Sequence, residues 1–197
     1  MAESDRGGQV RPGGRTARNR TAVHDAVRGL LAEGRDPVTV REVSERSGVS
    51  EVTIYRRWGT VESLMLDVAI TQLTEEAPFP DTGDLRRDLL DWVSGVAASV
   101  KSPEGFALYR ALAAATSPLG GNHSDQARAD AAMYLRRRTD QMQAVFDRAA
   151  AAAGTTPPSV ARVFDLVLAP VYLRAIFGYD APDADLAELV DRALGDG

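Results

Sequence analysis

From Val23 to Leu194, apolar residues recur at the 3.6-residue spacing of a helix, and no stretch alternates with period two for long. That spacing predicts an all-α chain. Val23, Ala26, Val27, Leu30 and Leu31 mark one helical face, which "EGRDP" at 33–37 ends. Thr39 is followed three residues on by Glu42, a capping box, and the short helix it opens, Val40 to Ser47, stops at Gly48. Ser50 can cap a third helix over 51–58, with Glu51 in the first turn, where the helix dipole favours negative charge. Thr60 then caps a fourth helix reaching about Leu73, with an inner stripe of Val61, Leu64, Met65 and Val68, and "EEAPFPDTGD" at 75–84 closes the unit.

The remaining stripes are helical too. One runs through Leu85, Leu89, Trp92, Val93, Val96 and Val100, another begins at Phe106, Tyr109 and Leu112, and a third is marked by Leu135, Met142, Val145, Phe146 and Ala149. "SPLGGNHS" at 117–124 and "GTTPPS" at 154–159 read as loops, and nothing repeats internally. The segment 160–178 differs because it is apolar on two faces. Val160, Phe164, Val167, Leu168, Val171 and Ala175 form one; Leu166, Leu173 and Phe177 form the other. A last helix carrying Leu186 and Val190 covers only part of that surface, so a symmetric partner subunit is the simpler cover, with Leu166, Leu173, Phe177, Leu186 and Val190 at the seam. Pro170 removes one backbone hydrogen bond inside the segment, which predicts a kink and frees the Leu166 carbonyl.

Two short helices joined through "SGVS" and braced by a preceding amphipathic helix have the spacing of a helix-turn-helix. Val40, Val43, Val49, Ile54 and Trp58 would face inward, leaving Val52, Thr53, Arg56 and Arg57 outward or at the edge. Tyr55, an apolar ring with a hydroxyl, suits a phosphate at the rim. Charge agrees with a nucleic-acid partner at this end: residues 1–58 carry 11 arginines against 8 acids, while the remainder carries 12 basic against 20 acidic residues. A solvated charged helix or a protein-interaction module is the competing reading of the same spacing.

"VTVREVSERSGVSEVTIYRRWGTVESLMLDVA", residues 38–69, resembles the DNA-binding signature of the TetR family of transcriptional regulators, the match extending from about 15 to 75. "DTGDLRRDLLDWV" and "FDLVLAPVYLRAIFG" resemble, more loosely, the ligand-binding and dimerisation domain of one branch. The resemblance implies about nine helices, a dimer on a near-palindromic double-stranded operator, and repression until a small molecule binds. It implies that Thr39 and Tyr55 hold phosphates and that Val52, Thr53 and Arg56 face bases or the groove wall. Arg57 stands where many relatives carry histidine. Val61 departs from the pattern, since the family commonly places a phosphate-binding lysine there; Arg41 or the N-terminal arm would then supply that backbone contact, and Ser50 is counted with the DNA-binding residues. In the arm, Arg15 and Arg18 are read as backbone contacts beside Arg20, and Arg6 and Arg11 as a solubilising tail. Three regions follow: a disordered arm at 1–14, a DNA-binding domain at 15–75, and an effector-binding and dimerisation domain at 76–197.

Other chemistry finds little support. The chain has no cysteine and two histidines about a hundred residues apart, His24 expected on the outer side of its helix and His123 in a mobile loop, so neither a metal site nor a cofactor is expected. No nucleophile elbow or phosphate loop appears, and catalysis is not expected. No secretory signal and no span of roughly 18 apolar residues is seen, which predicts a soluble, cytoplasmic protein without a membrane partner. Trp92, Phe106, Tyr109, Met133, Met142, Phe146, Phe164, Leu168 and Tyr172 lie on helices that would converge, giving a pocket for a small apolar or aromatic effector. The alternative function is a helical dimer that binds a small molecule or protein without specific DNA recognition.

Overall fold

A computed structural model of the protein describes residues 14–75, 78–117, 123–156, 158–178 and 185–195. Among these residues every regular element is helical. α1 spans Gly14–Ala32, α2 Val40–Ser47, α3 Glu51–Trp58 and α4 Val61–Glu75. α5 (Leu85–Val100), α6 (Pro103–Thr116) and the long α7 (Asp125–Ala153) follow. A continuous rod is then built from α8 (Val160–Val163), a π-helical turn (Phe164–Leu168) and α9 (Ala169–Phe177), and α10 (Leu186–Leu194) packs across it.

α1 begins well before its buried stripe. After Gly14 its opening residues are mostly polar and include no proline or further glycine, so the helix extends N-terminal to the part that has a core to face. Arg15 and Arg18, expected in an arm, therefore stand on exposed helical turns, and Arg18 Nε donates to the Gly14 carbonyl at 3.0 Å. Arg6 and Arg11, with the disorder expected for the arm, lie outside the described residues.

Two features set the angle between α2 and α3. The Thr39–Glu42 capping box fixes the start of α2, and Gly48, with φ of 70°, ends it in a left-handed conformation that a side chain would strain. Val49 and Ile54 then turn into a core with Val23, Val27, Leu31, Val40, Val43, Leu64 and Val68. That core is not closed by α1–α4 alone. Ala107 and Leu108 of α6 complete it, and ion pairs Arg28–Glu104 (2.6 Å) and Arg110–Asp36 (2.7 Å) tie the same helix to the N-terminal helices. The boundary expected at residue 75 is thus crossed by packing. α6 can approach because Gly105 sits against α5: a Cβ there would lie 2.1 Å from the Ser99 carbonyl oxygen.

A second core joins Leu89 and Val93 of α5, Met142 and Phe146 of α7, the inner face of the rod, and Leu189, Val190 and Ala193 of α10. Within the rod, Pro170 lies one residue beyond the π-helical turn, in which the Ala169 N–H donates to the Phe164 carbonyl. Widening the helix at this point accommodates the ring that a regular i−4 ladder would reject, so the expected interruption takes the form of a π turn.

Candidate functional site

The outward face of α3 is the first candidate. Ile54 is 1% exposed and holds the helix down, while Val52 is 75% and Tyr55 51% exposed, flanked by exposed Arg56 and Arg57. An exposed valine and tyrosine followed by two arginines form a surface with both apolar reach and positive charge. Ser50 opens α3 through its carbonyl, to which the Thr53 and Ile54 amides donate; its hydroxyl instead pairs with the Thr53 hydroxyl at 2.9 Å. The Arg57 guanidinium lies 5.1 Å over the Trp58 ring.

At the start of α2 the Thr39 hydroxyl donates to Glu42 Oε2 at 2.7 Å and accepts from the Glu42 amide at 3.2 Å. The hydroxyl and the Thr39 amide, in that order, hold the Glu42 carboxyl below the usual range. Exposed Arg41 is engaged by Glu45 at 2.9 Å, whose hydrogen bond and charge raise its pKa. Val61 is half-buried against the first core, so it has a packing role where a lysine would reach outward.

One carboxylate ties this unit together. Asp67 of α4 accepts from Arg20 (2.9 and 3.3 Å), His24 Nε2 (2.9 Å) and Trp58 Nε1 (2.8 Å). Burial opposes its ionisation, but the hydrogen bonds from His24, Trp58 and Arg20 outweigh that and hold the carboxyl far below the ordinary range. His24, expected on the outer side of α1, is instead 7% exposed and faces this carboxylate. The spacing shows why it was misread: His24 follows Val23 directly and widens the buried stripe to meet a partner 43 residues away. Arg20 is likewise turned inward and also donates to Thr71 at 2.7 Å.

Most of the residues expected to line a pocket are packed against one another. Met142 and Phe146 are buried in the second core, against which Trp92, Tyr109, Phe164 and Tyr172 pack half-buried, and Leu168 is buried as well. Tyr109 and Tyr172 fill the interior by stacking 4.0 Å apart, and burial pushes the Tyr172 phenol well above its usual value. Trp92 meets Phe79 at 5.6 Å and the Arg138 guanidinium at 5.6 Å, and Phe106 lies under Arg110 at 5.7 Å. A groove of about 1090 Å³ lies between α4 and α7, and of the expected residues Met133 lines it. Its walls include Trp58, Asp67, Ile70, Tyr134, Arg137 and Arg138. Sequence reading missed these, although "YLRRR" at 134–138 is a basic run in an acidic half of the chain.

A third surface is the outer face of the rod. Leu166, Leu173 and Ile176 are exposed, and Phe177 is 71% exposed. Leu186 packs half-buried on the second core and Val190 is fully buried in it, so these two side chains are held by their own chain and stand apart from that face. Among the described residues no helix is long and apolar enough to cross a membrane, and no cluster of potential metal ligands occurs. His123 lies just before the helix cap Ser124, its carbonyl 3.5 Å from Arg128 Nε.

Comparison with known proteins gives two adjoining family matches. Residues 23–68 match the model for bacterial regulatory proteins of the tetR family, and residues 79–193 match the tetracyclin repressor-like C-terminal domain. The HTH-type transcriptional regulator AqdR of Rhodococcus erythropolis is 38% identical over 120 residues, covering 60% of this chain and 58% of that protein. An uncharacterised HTH-type regulator of Bacillus subtilis, YdeS, is 33% identical over 85 residues, 43% of each chain. The matched segments thus span about half the length of these relatives. A crystal structure from Mesorhizobium loti, described as that of a TetR-family transcriptional regulator, aligns over 90% of this chain and 92% of its own with a TM-score of 0.59 at 16% identity. A TetR regulator from Agrobacterium tumefaciens aligns over 89% and 90% with a TM-score of 0.59 at 18% identity. At those identities the likeness is one of fold.

Proposed function

The chain belongs to the TetR family, and from that premise we propose that it is a sequence-specific DNA-binding transcriptional regulator, a repressor released from a palindromic operator by a small molecule. Residues 15–75 serve as the DNA-binding domain and 76–197 as the effector-binding and dimerisation domain, with α6 bridging them. The observation that carries this is the face of α3, where Val52, Tyr55, Arg56 and Arg57 stand exposed on a helix pinned by Ile54. Such a helix fits a major groove, with Val52, Thr53 and Arg56 toward base edges. Tyr55, Thr39, Arg41 and Ser50 are positioned toward the backbone. Arg57 lies over the Trp58 ring.

A single recognition helix reads few base pairs, so two must be presented together, about 34–36 Å apart. The exposed rod face, Leu166, Leu173, Ile176 and Phe177, supplies an apolar seam for a homodimer. Selection of bound sites from random duplexes tests the reading: an enriched palindrome supports it, and absence of enrichment at low salt refutes it. The burial of Val61 favours the second reading, a dimeric binding module without specific DNA recognition, because it removes one expected phosphate contact. The same selection separates the two.

A further inference from the structure

We infer that Asp67 is a positioning residue for DNA recognition: acting through the Trp58 indole, it sets the direction in which the last turn of α3 presents Tyr55, Arg56 and Arg57. α3 has eight residues, of which only Ile54 is buried. A short helix held at one point can roll and tilt about that point, so its side chains keep a fixed direction only if a second anchor exists. Trp58 supplies it. The indole packs half-buried against the first core, and its Nε1–H donates to Asp67 Oδ2 at 2.8 Å. Apolar contact alone lets a ring slide, whereas a hydrogen bond to a charged acceptor fixes both a distance and an angle.

The acceptor is itself immobilised. Arg20 donates to both Asp67 oxygens, at 2.9 and 3.3 Å, and His24 Nε2 donates to Oδ2 at 2.9 Å. Both residues belong to α1, so the carboxylate on α4 ties the end of α3 to two other helices at once. His24 also flanks the indole, with ring centroids 6.2 Å apart. An indole offers one donor edge and two ring faces, and both kinds of contact are used: the edge meets Asp67, and a face carries the Arg57 guanidinium at 5.1 Å. The angle of the ring therefore decides where Arg57 leaves the helix.

The consequence for DNA rests on the reading of α3 as a recognition helix. Apolar side chains at positions 20, 24 and 67 could hold the same helices together without the desolvation that opposes ionisation of Asp67, but without a direction. Reading a groove demands direction. Base edges are distinguished by paired hydrogen bonds, and a side chain leaving the helix at the wrong angle meets water or a neighbouring atom instead.

The test compares Asp67→Leu, Trp58→Phe and the double variant in the full-length protein. Each change leaves an apolar group in place, and the Arg20 side chain, 38% exposed, can turn to water. Circular dichroism and stoichiometric titration with DNA correct for any unfolded fraction. Affinity is measured for an operator taken from the site selection and for random duplex. Each single variant is expected to lower the ratio of the two about tenfold, the size of one lost base contact, and the double variant to lower it no further. Charge alone predicts the opposite for Asp67→Leu, since losing an acidic group strengthens binding to every duplex. An unchanged ratio in either single variant, or losses that multiply in the double variant, overturns the assignment. A second measurement needs no DNA. In a Trp92→Phe background the remaining indole N–H is that of Trp58, and the Gly59 amide, bonded to the Tyr55 carbonyl, reports the last turn of α3. Asp67→Leu is expected to speed hydrogen exchange of both about tenfold relative to the Val43 amide of α2. Equal acceleration of all three is a global loss of stability and overturns the anchor. If no duplex is selected from the random pool, the regulator reading fails and the exchange result decides the anchor.

Discussion

At Asp67 three donors from two other helices converge on one carboxylate, and this residue carries a testable pH dependence. Its folded pKa lies below the unfolded value of about 3.9, so the stability it contributes is present above that value and is lost as pH falls through the folded one. Urea unfolding at about pH 5 and pH 3 should show a larger loss in the wild type than in Asp67→Asn, where other paired carboxylates such as Glu42 still contribute, while the variant is less stable by about 2 kcal/mol at neutral pH. A wild-type slope retained in the variant would place the titration elsewhere. On α3, Arg56→Ala should cost about 1–3 kcal/mol of operator affinity and relax one base position, whereas Tyr55→Phe should weaken all duplexes alike. Equal, sequence-independent losses measured by anisotropy would remove Arg56 from base readout.

Among the elements, the rod shows most clearly what helical spacing reveals. The two stripes read from 160–178 separate as expected, Val160, Val167, Leu168 and Val171 buried and Leu166, Leu173 and Phe177 exposed. A stripe reports only that a side chain has an apolar side to hide, and the first four helices were legible for the same reason. The length of α7 was not, because its N-terminal half buries only Ala127 and Ala131, too small to mark a stripe. Nor were the groove and the inward turn of His24 and Arg20, which depend on contacts between distant helices. Val190 and Leu186 carry the apolar signature of a seam, yet α10 uses it within its own chain. Leu173→Glu should place an unpaired charge in the dimer seam of both subunits, at a cost of several kcal/mol, on the order of 3–5. Sedimentation should then give a monomer with unchanged helical circular dichroism and lost operator binding. A dimer of unchanged affinity would show that another surface joins the subunits.

For the molecule as a whole, release from DNA requires a ligand to prefer the conformation that does not bind, since equal affinity for both shifts nothing. An effector that lowers operator affinity tenfold should itself bind tenfold more weakly to the operator complex, a reciprocity that calorimetry can check. α6 is placed to carry such coupling, because Ala107 and Leu108 complete the first core while Leu112 and Ala115 pack with Leu66, Ala127 and Ala131. Leu108→Ala should cost about 2–5 kcal/mol of stability and unfold both halves in one transition. Two separate melts would show that the halves are thermodynamically independent.

That shared helix also changes what can be exchanged between relatives. A recombination joint placed in the 75–84 linker would carry the reading head away without the two α6 side chains that close its core. A chimera cut there inherits a hole in one parent's packing and a foreign plug from the other. The transferable cassette therefore runs through the end of α6 at Thr116.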